Sequence, residues 1–348
     1  MFDFTKYSID WCLKRPGSEG IEYNESVMLI AEKNGAIEPV RLLFDADEII
    51  SFRDASLNTE YAAGKDFVLE EGKLCFPSGT RVQHIPHEQF FPSEPIEGGS
   101  FPAKEGGHLL FGEGDFFHKR QLAVSYRHRG SWDGPGFASK KRFLPLVSAK
   151  LEAKKELSVV YLGDSITVGA NSSGLSRVFP YVPIWPDMVS EALENHYGAH
   201  IKSKNIAVGG TASAWGIAQA KDHGVAERPD LMLIAFGMND GGSVPAAEFA
   251  QNLGAIMSNT KKSCPECEFL LVISMLHNPL LAWPSLHGSY EPVVAGFEGE
   301  GVAVADMASV HRRLLERKRY YDMTGNNVNH PNDYLARMYA IAVSSALF

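Results

Sequence analysis

Two patterns of apolar and polar positions divide the chain. Up to about residue 145 the apolar residues come in short runs, at 26–31, 40–44, 66–69, 73–76, 108–111 and 121–126, broken by Gly, Pro, Asn and Asp. Short runs with turn residues between them predict the strands of an antiparallel β-sandwich or jelly roll. Between two of the runs stands Glu70-Glu71-Gly72, where glycine supplies the positive φ of a hairpin turn. Beyond Leu157 the pattern changes. Strand-length apolar runs at 158–162, 202–208, 231–236, 269–274 and 302–306 alternate with helical periods at 187–197, 213–222, 246–262 and 309–319. This alternation predicts a parallel sheet covered by helices on both faces. Residues 130–148, with Gly134-Pro135-Gly136 and Pro145, read as a linker, followed by a short charged helix over 149–156. The expected organisation is an all-β domain over 1–145 and an α/β domain over 146–348.

Right-handed helical crossovers put the carboxyl ends of all the parallel strands at one edge, and such sheets bind ligands in the crevice beyond that edge. Polar clusters fall where the loops of that edge are expected. Gly163-Asp164-Ser165-Ile166-Thr167 follows the first run, Gly209-Gly210-Thr211 the second, and Gly237-Met238-Asn239-Asp240 the third. Asn326-Asn327-Val328-Asn329-His330-Pro331-Asn332-Asp333 precedes the last helix. A serine hydroxyl becomes a competent nucleophile when a neighbouring imidazole removes its proton, and an ordinary histidine pKa of about 6.5 suits that task. Asp164 and Asp240 are expected to accept backbone N–H bonds and hold their loops.

These blocks, in this order, resemble the SGNH subgroup of GDSL-type esterases and lipases over roughly residues 157–348. The resemblance implies a three-layer α/β/α, flavodoxin-like hydrolase domain and an acyl-enzyme mechanism without metal or other cofactor. In that reading Ser165 is the nucleophile and His330 its general base. The oxyanion donors are the backbone N–H of Ser165, the backbone N–H of Gly210 and the side-chain amide of Asn239. The family commonly has an aspartate three residues before the histidine; Asn327 stands there in this chain. Either Asn327 orients His330 as a neutral third member, or a backbone carbonyl does, with Asp322 and Asp333 as candidate substitutes. A β-rich half ahead of such a domain is similar to carbohydrate esterases that carry a jelly roll.

That architecture makes a small acyl group, acetyl foremost, on a carbohydrate the expected substrate. The alternatives are a lipase or thioesterase, and a glycan-binding protein on a degraded hydrolase fold. Tyr181, Trp185, Trp215 and Trp283 are candidate substrate contacts, since aromatic faces near polar donors suit sugar rings. The segment 169–174, with Asn171, Ser172 and Ser173, offers hydrogen bonds to hydroxyls.

Charge narrows the partners. At a formal net charge of -9 and a pI near 5.8 the chain lacks the clustered Lys and Arg that nucleic acid or an anionic membrane demands. A small-molecule or glycan ester fits, and self-association into a homo-oligomer is compatible with the composition. Four scattered cysteines, Cys264 and Cys267 among them, read as thiols. The first residues show no basic, apolar and small-residue leader, so the expected location is cytoplasmic; a leader already removed would leave no trace. Gly163-Asp164-Ser165 also lacks the lysine and glycine spacing of a phosphate-binding loop.

Overall fold

The computed structural model describes Asp3 and residues 5–348, apart from the side chains of 223–225; Met1, Phe2 and Phe4, at the head of the expected first domain, lie outside the described residues. In the first half, β1 (Ile21–Met28), β2 (Ala46–Asp54) and β3 (Gln121–His128) form an antiparallel sheet with β3 in the middle. A second small sheet joins Val40–Arg41, Val68–Glu70 and Lys73–Cys75. Glu71 and Gly72, at φ +48° and +75°, make the turn between the last two, as expected of a two-residue hairpin loop. A separate hairpin pairs Ser100–Pro102 with His108–Leu110. β2 matches none of the expected runs, because its charged positions interrupt the apolar alternation.

In the second half, β4 (Leu157–Gly163), β5 (Ile201–Asn205), β6 (Leu231–Ala235), β7 (Glu268–Ile273) and β8 (Val302–Asp306) form one parallel sheet in the order β5-β4-β6-β7-β8. Within the sheet this is the order 2-1-3-4-5, so the winding reverses between β4 and β6, where a doubly wound sheet takes its ligand. Residues alternate between two cores: Leu157, Val159 and Tyr161 enter one, Val160 and Leu162 the other. Burial of both faces is why these strands read as unbroken apolar runs. α3 (Trp185–Tyr197) and α7 (Asp333–Leu347) pack into the first core, and α4 (Ser213–Glu227) and α5 (Ala246–Ser263) into the second.

Three expected elements shift, each for a local reason. The charged helix is α1, Pro145–Glu152, begun by a proline whose fixed φ suits the first helical turn. β5 stops at Asn205, whose side chain accepts the Ala207 N–H and donates to the Thr167 carbonyl. α6 runs over Met307–Leu315, because Asp306 caps it by accepting the Ser309 N–H at 2.9 Å.

One core joins the two halves. Trp11, Tyr23, Val27, Phe52 and Tyr126 lie in the same cluster as Tyr161, Leu335, Met338 and Ile341. In α7 every residue after Asp333 is buried, the polar Arg337, Ser344 and Ser345 among them. Each large apolar side chain it buries contributes about 1.5–3 kcal/mol. Arg337 on α7 donates to the carbonyls of Cys12 at 2.8 Å and Tyr23 at 2.7 Å, and Lys318 pairs with Glu25 with both side chains fully buried.

Candidate active site

Ser165 opens α2 (Ser165–Val168) directly after β4, at the carboxyl edge of the sheet where the winding reverses. Asp164 caps this short helix by accepting the Ile166 N–H at 2.9 Å. The other Asp164 oxygen is buried without a partner. Burial pushes the carboxyl up to about 7 against the pull of the Ile166 bond, and the Asp240 charge adds to the rise.

His330 reaches the same edge from the loop before α7. Its Nε2 lies 2.8 Å from Ser165 Oγ, and the imidazole is largely buried. Its Nδ1 lies 2.6 Å from Asn171 Oδ1. Asn171 Nδ2 donates to the Gly114 carbonyl, which turns the amide oxygen toward the imidazole. Nδ1 therefore carries the proton and Nε2 the lone pair that accepts the serine O–H. A Cβ on Gly325 would meet Asn171 Cβ at 2.3 Å, so only glycine lets Asn171 come this close.

The carboxylate of Glu113 stands 3.4 Å from the same Nδ1 and accepts from Asn326 Nδ2 at 3.0 Å. Burial works to raise the Glu113 pKa, but hydrogen bonds from His330, Asn326 and Asn171 outweigh it and hold the group below its ordinary value. Asn326 Oδ1 accepts the N–H groups of Val328, Asn329 and His330 at 3.0–3.1 Å and so fixes the loop that carries His330. The two Asn326 amide hydrogens go to Glu113 and Asn329. Its 3.0 Å approach to His330 Nδ1 is thus a contact between two donors.

Asn327 does not perform the role expected of it. Its backbone is left-handed at φ +65°, and its side chain accepts from Asn278 and donates to the Leu110 carbonyl at 2.9 Å. The left-handed turn points it into the body of the protein, away from His330. Asp322 and Asp333 are engaged elsewhere too: Asp322 accepts the N–H groups of Met28 and Arg319, and Asp333 that of Ser173. Asn332 caps α7, its side chain accepting the Leu335 N–H.

The loop that carries Gly210 passes beside Ser165. A Cβ on Gly209 would lie 3.7 Å from the Ser165 Cβ. Gly210 has φ +76° and faces open space, a backbone that only glycine adopts without strain. The Asn239 amide donates to the Thr211 carbonyl at 2.8 Å, tying the second and third loops together. Asp240 sits behind them, buried, and accepts the Ser213 N–H at 3.0 Å.

A cleft of about 310 Å³ adjoins Asn239 and is lined by Met238, His277, Trp283, Ser285 and Asn329, with further loop residues. Of the four candidate aromatics, Trp283 alone lines it. Its exposed ring meets Phe101 edge-on at 4.8 Å. Phe101 comes from the hairpin of the first half, whose Lys104 N–H donates to the Leu280 carbonyl. Trp185 is buried and donates to the Ile166 carbonyl, so it braces the serine turn and cannot touch substrate. Trp215 packs into the second core, while Tyr181 borders a separate groove with Phe179 and Arg177. Asn171, Ser172 and Ser173 are buried in protein hydrogen bonds and offer nothing to a sugar hydroxyl.

Sequence patterns missed Glu113, Asn171 and Asn326. Asn326 lay inside the polar cluster before α7 and Asn171 inside a segment already marked as polar. Glu113 lies in the other half of the chain, where no spacing ties it to His330.

The fold is that of an SGNH-type α/β/α hydrolase domain. The chain belongs to the GDSL-like Lipase/Acylhydrolase family, whose profile matches residues 161–337. No curated protein sequence gives a match. Among solved structures the fold resembles a two-domain esterase (CEX) active on acetylated mannans, co-crystallised with mannopentaose, at a TM-score of 0.50 and 22% identity. That likeness covers 62% of this chain and 55% of the other, little more than half the neighbour's length. Axe2, an acetylxylan esterase from Geobacillus stearothermophilus, is similar at 16% identity and a TM-score of 0.46 over 55% of this chain and 94% of its own.

Proposed function

We propose that this protein is a serine esterase that removes small acyl groups, acetyl foremost, from a carbohydrate. The observation that carries the reading is the 2.8 Å contact between Ser165 Oγ and His330 Nε2 at the carboxyl edge of the sheet. Ser165 Oγ attacks the ester carbonyl as His330 Nε2 takes its proton. The carbonyl oxygen becomes an oxyanion held by the N–H groups of Ser165 and Gly210 and the amide of Asn239, one such donor contributing about 3–4 kcal/mol in the transition state. Collapse breaks the ester C–O bond, and His330 returns the proton to the departing alkoxide. Water then adds to the acyl-Ser165 with His330 again as base, which releases the acid and restores the serine.

A carbohydrate leaving group is supported by the exposed Trp283 ring standing beside the amide groups of Asn239 and Asn329. The neighbour of similar fold that acts on acetylated mannans points the same way. Leu280, Trp283 and Leu286, exposed apolar side chains in one segment that reaches the cleft through Trp283, favour a second reading, an acylhydrolase for longer chains. Comparing p-nitrophenyl acetate with p-nitrophenyl octanoate, and acetate release from a panel of acetylated glycans, separates the two.

Ser165→Ala is expected to abolish hydrolysis of p-nitrophenyl acetate, measured by nitrophenolate release, while leaving the melting curve unchanged. Retained activity would overturn the assignment. A fluorophosphonate should label the unsubstituted protein at Ser165; a glycan-binding protein with an unactivated serine would stay unlabelled.

A further inference from the structure

We infer that Glu113, a residue of the N-terminal β half, is the acidic positioning residue of the catalytic histidine, so that the charge an aspartate beside His330 would supply arrives from the other half of the chain. The inference rests on the serine esterase reading above and adds to it a role for the β half inside the catalytic machinery.

Three observations converge. Glu113 Oε2 stands 3.4 Å from His330 Nδ1, the nitrogen opposite the one that faces Ser165. Glu113 is held there, since its Oε1 accepts Asn326 Nδ2, and the next residue, Gly114, accepts Asn171 Nδ2 through its carbonyl. Loop 112–114 thus grips both asparagines that surround the imidazole. The remaining carboxylates of the region face other partners: Asp164 the Ile166 N–H, Asp322 the N–H groups of Met28 and Arg319, and Asp333 the Ser173 N–H, with His118 at 3.9 Å.

The division of labour follows from chemistry. Asn171 is the nearer acceptor and fixes which nitrogen carries the proton, but a neutral amide gives an imidazolium little stabilisation. When Ser165 transfers its proton, His330 becomes a cation, and a carboxylate at this distance from Nδ1 lowers the energy of that state. Glu113 is half exposed, so water screens part of the effect. The β half is then part of the active site and more than a module that brings the enzyme to its substrate.

The test is the pH profile of kcat/KM for Glu113→Gln, which keeps the size and the Asn326 contact but removes the charge. Without the carboxylate the imidazole gives up its proton more readily, so the acid limb should move to lower pH by about one unit and the plateau fall at least about tenfold. Glu113→Asp keeps the charge and should return the limb toward that of the unsubstituted enzyme. A residue that merely braced the loop would lower the rate and leave the limb in place. An unmoved limb in Glu113→Gln overturns the inference, and limb position does not depend on how much of the variant is folded. Ser165→Ala in the same assay separates the two failures: if it is inactive while the Glu113→Gln limb is unmoved, the role of Glu113 falls alone, and if it is active the esterase reading falls.

Discussion

Asn171 sets the tautomer of His330 through geometry. Its amide nitrogen donates to the Gly114 carbonyl, so its oxygen faces Nδ1 and the lone pair of Nε2 faces Ser165. Asn171→Ala is therefore expected to lower kcat by about tenfold to a hundredfold, since the imidazole loses the acceptor that fixes its tautomer and plane. Asn327→Gly should behave in the opposite way. It keeps the left-handed backbone and removes a side chain bonded to Asn278 and Leu110, so kcat should hold while stability falls by about 1–3 kcal/mol. Steady-state kinetics and urea unfolding of the two variants side by side check the contrast. At this scale the meeting of Ser165 and His330 was legible, because the resemblance of the ordered blocks to the SGNH pattern pairs those two residues. The third partner was not. The three-residue spacing points to Asn327, but a left-handed turn there sends its side chain inward, and backbone handedness at a non-glycine residue is not written in spacing.

The loop before α7 acts as one element, organised by Asn326. One amide oxygen takes three consecutive backbone N–H groups, and the amide nitrogen reaches Glu113 and Asn329. Asn326→Ala leaves those buried N–H groups unpaired and is expected to cost about 2–4 kcal/mol of stability. The loss of kcat should exceed that of Asn327→Gly, because His330 is the last of the three residues held. Chemical denaturation and kcat measured on the same preparations test both halves of that expectation. The alternation of strands and helices was readable because parallel strands buried on both faces are continuously apolar and their covering helices keep a 3.6-residue period. β2 was unreadable for the converse reason, since charged residues on its partly exposed face break the period-two pattern.

Over the whole molecule the two halves share one core and a buried Lys318–Glu25 pair, so they are expected to unfold in a single transition. Its pH dependence follows from buried groups. Burial pushes Asp164 up to about 7 from 3.8 and Glu22 up to about 8 from 4.5, with the charges of Asp240 and Glu25 adding to the respective rises. Each carboxyl contributes its full stability below its unfolded pKa and loses it as pH climbs to the folded value. Burial also lowers His287 to about 4 and His311 to about 3 from 6.5, with neighbouring histidines adding to it. Those contributions are complete above pH 6.5 and are lost as pH falls toward the folded values. The two trends oppose each other between pH 4.5 and 6.5, and above 6.5 only the carboxyls act. The melting temperature should therefore fall between pH 6.5 and 8. Asp164→Asn, which keeps an acceptor for the Ile166 N–H, should raise it more at pH 8 than at pH 5. Calorimetry across this range decides it; a gain independent of pH would remove Asp164 as the source.

By itself the sequence determined the alternation of parallel strands and covering helices, through apolar period and turn residues, and the four polar blocks, whose resemblance to the SGNH pattern paired Ser165 with His330; the strand order came from the structure. The tertiary structure alone decided what stands behind the histidine. Asn171 and Glu113 reach His330 from a loop after β4 and from the far half of the chain, and only a shared core and a close glycine contact at Gly325 bring them within bonding distance.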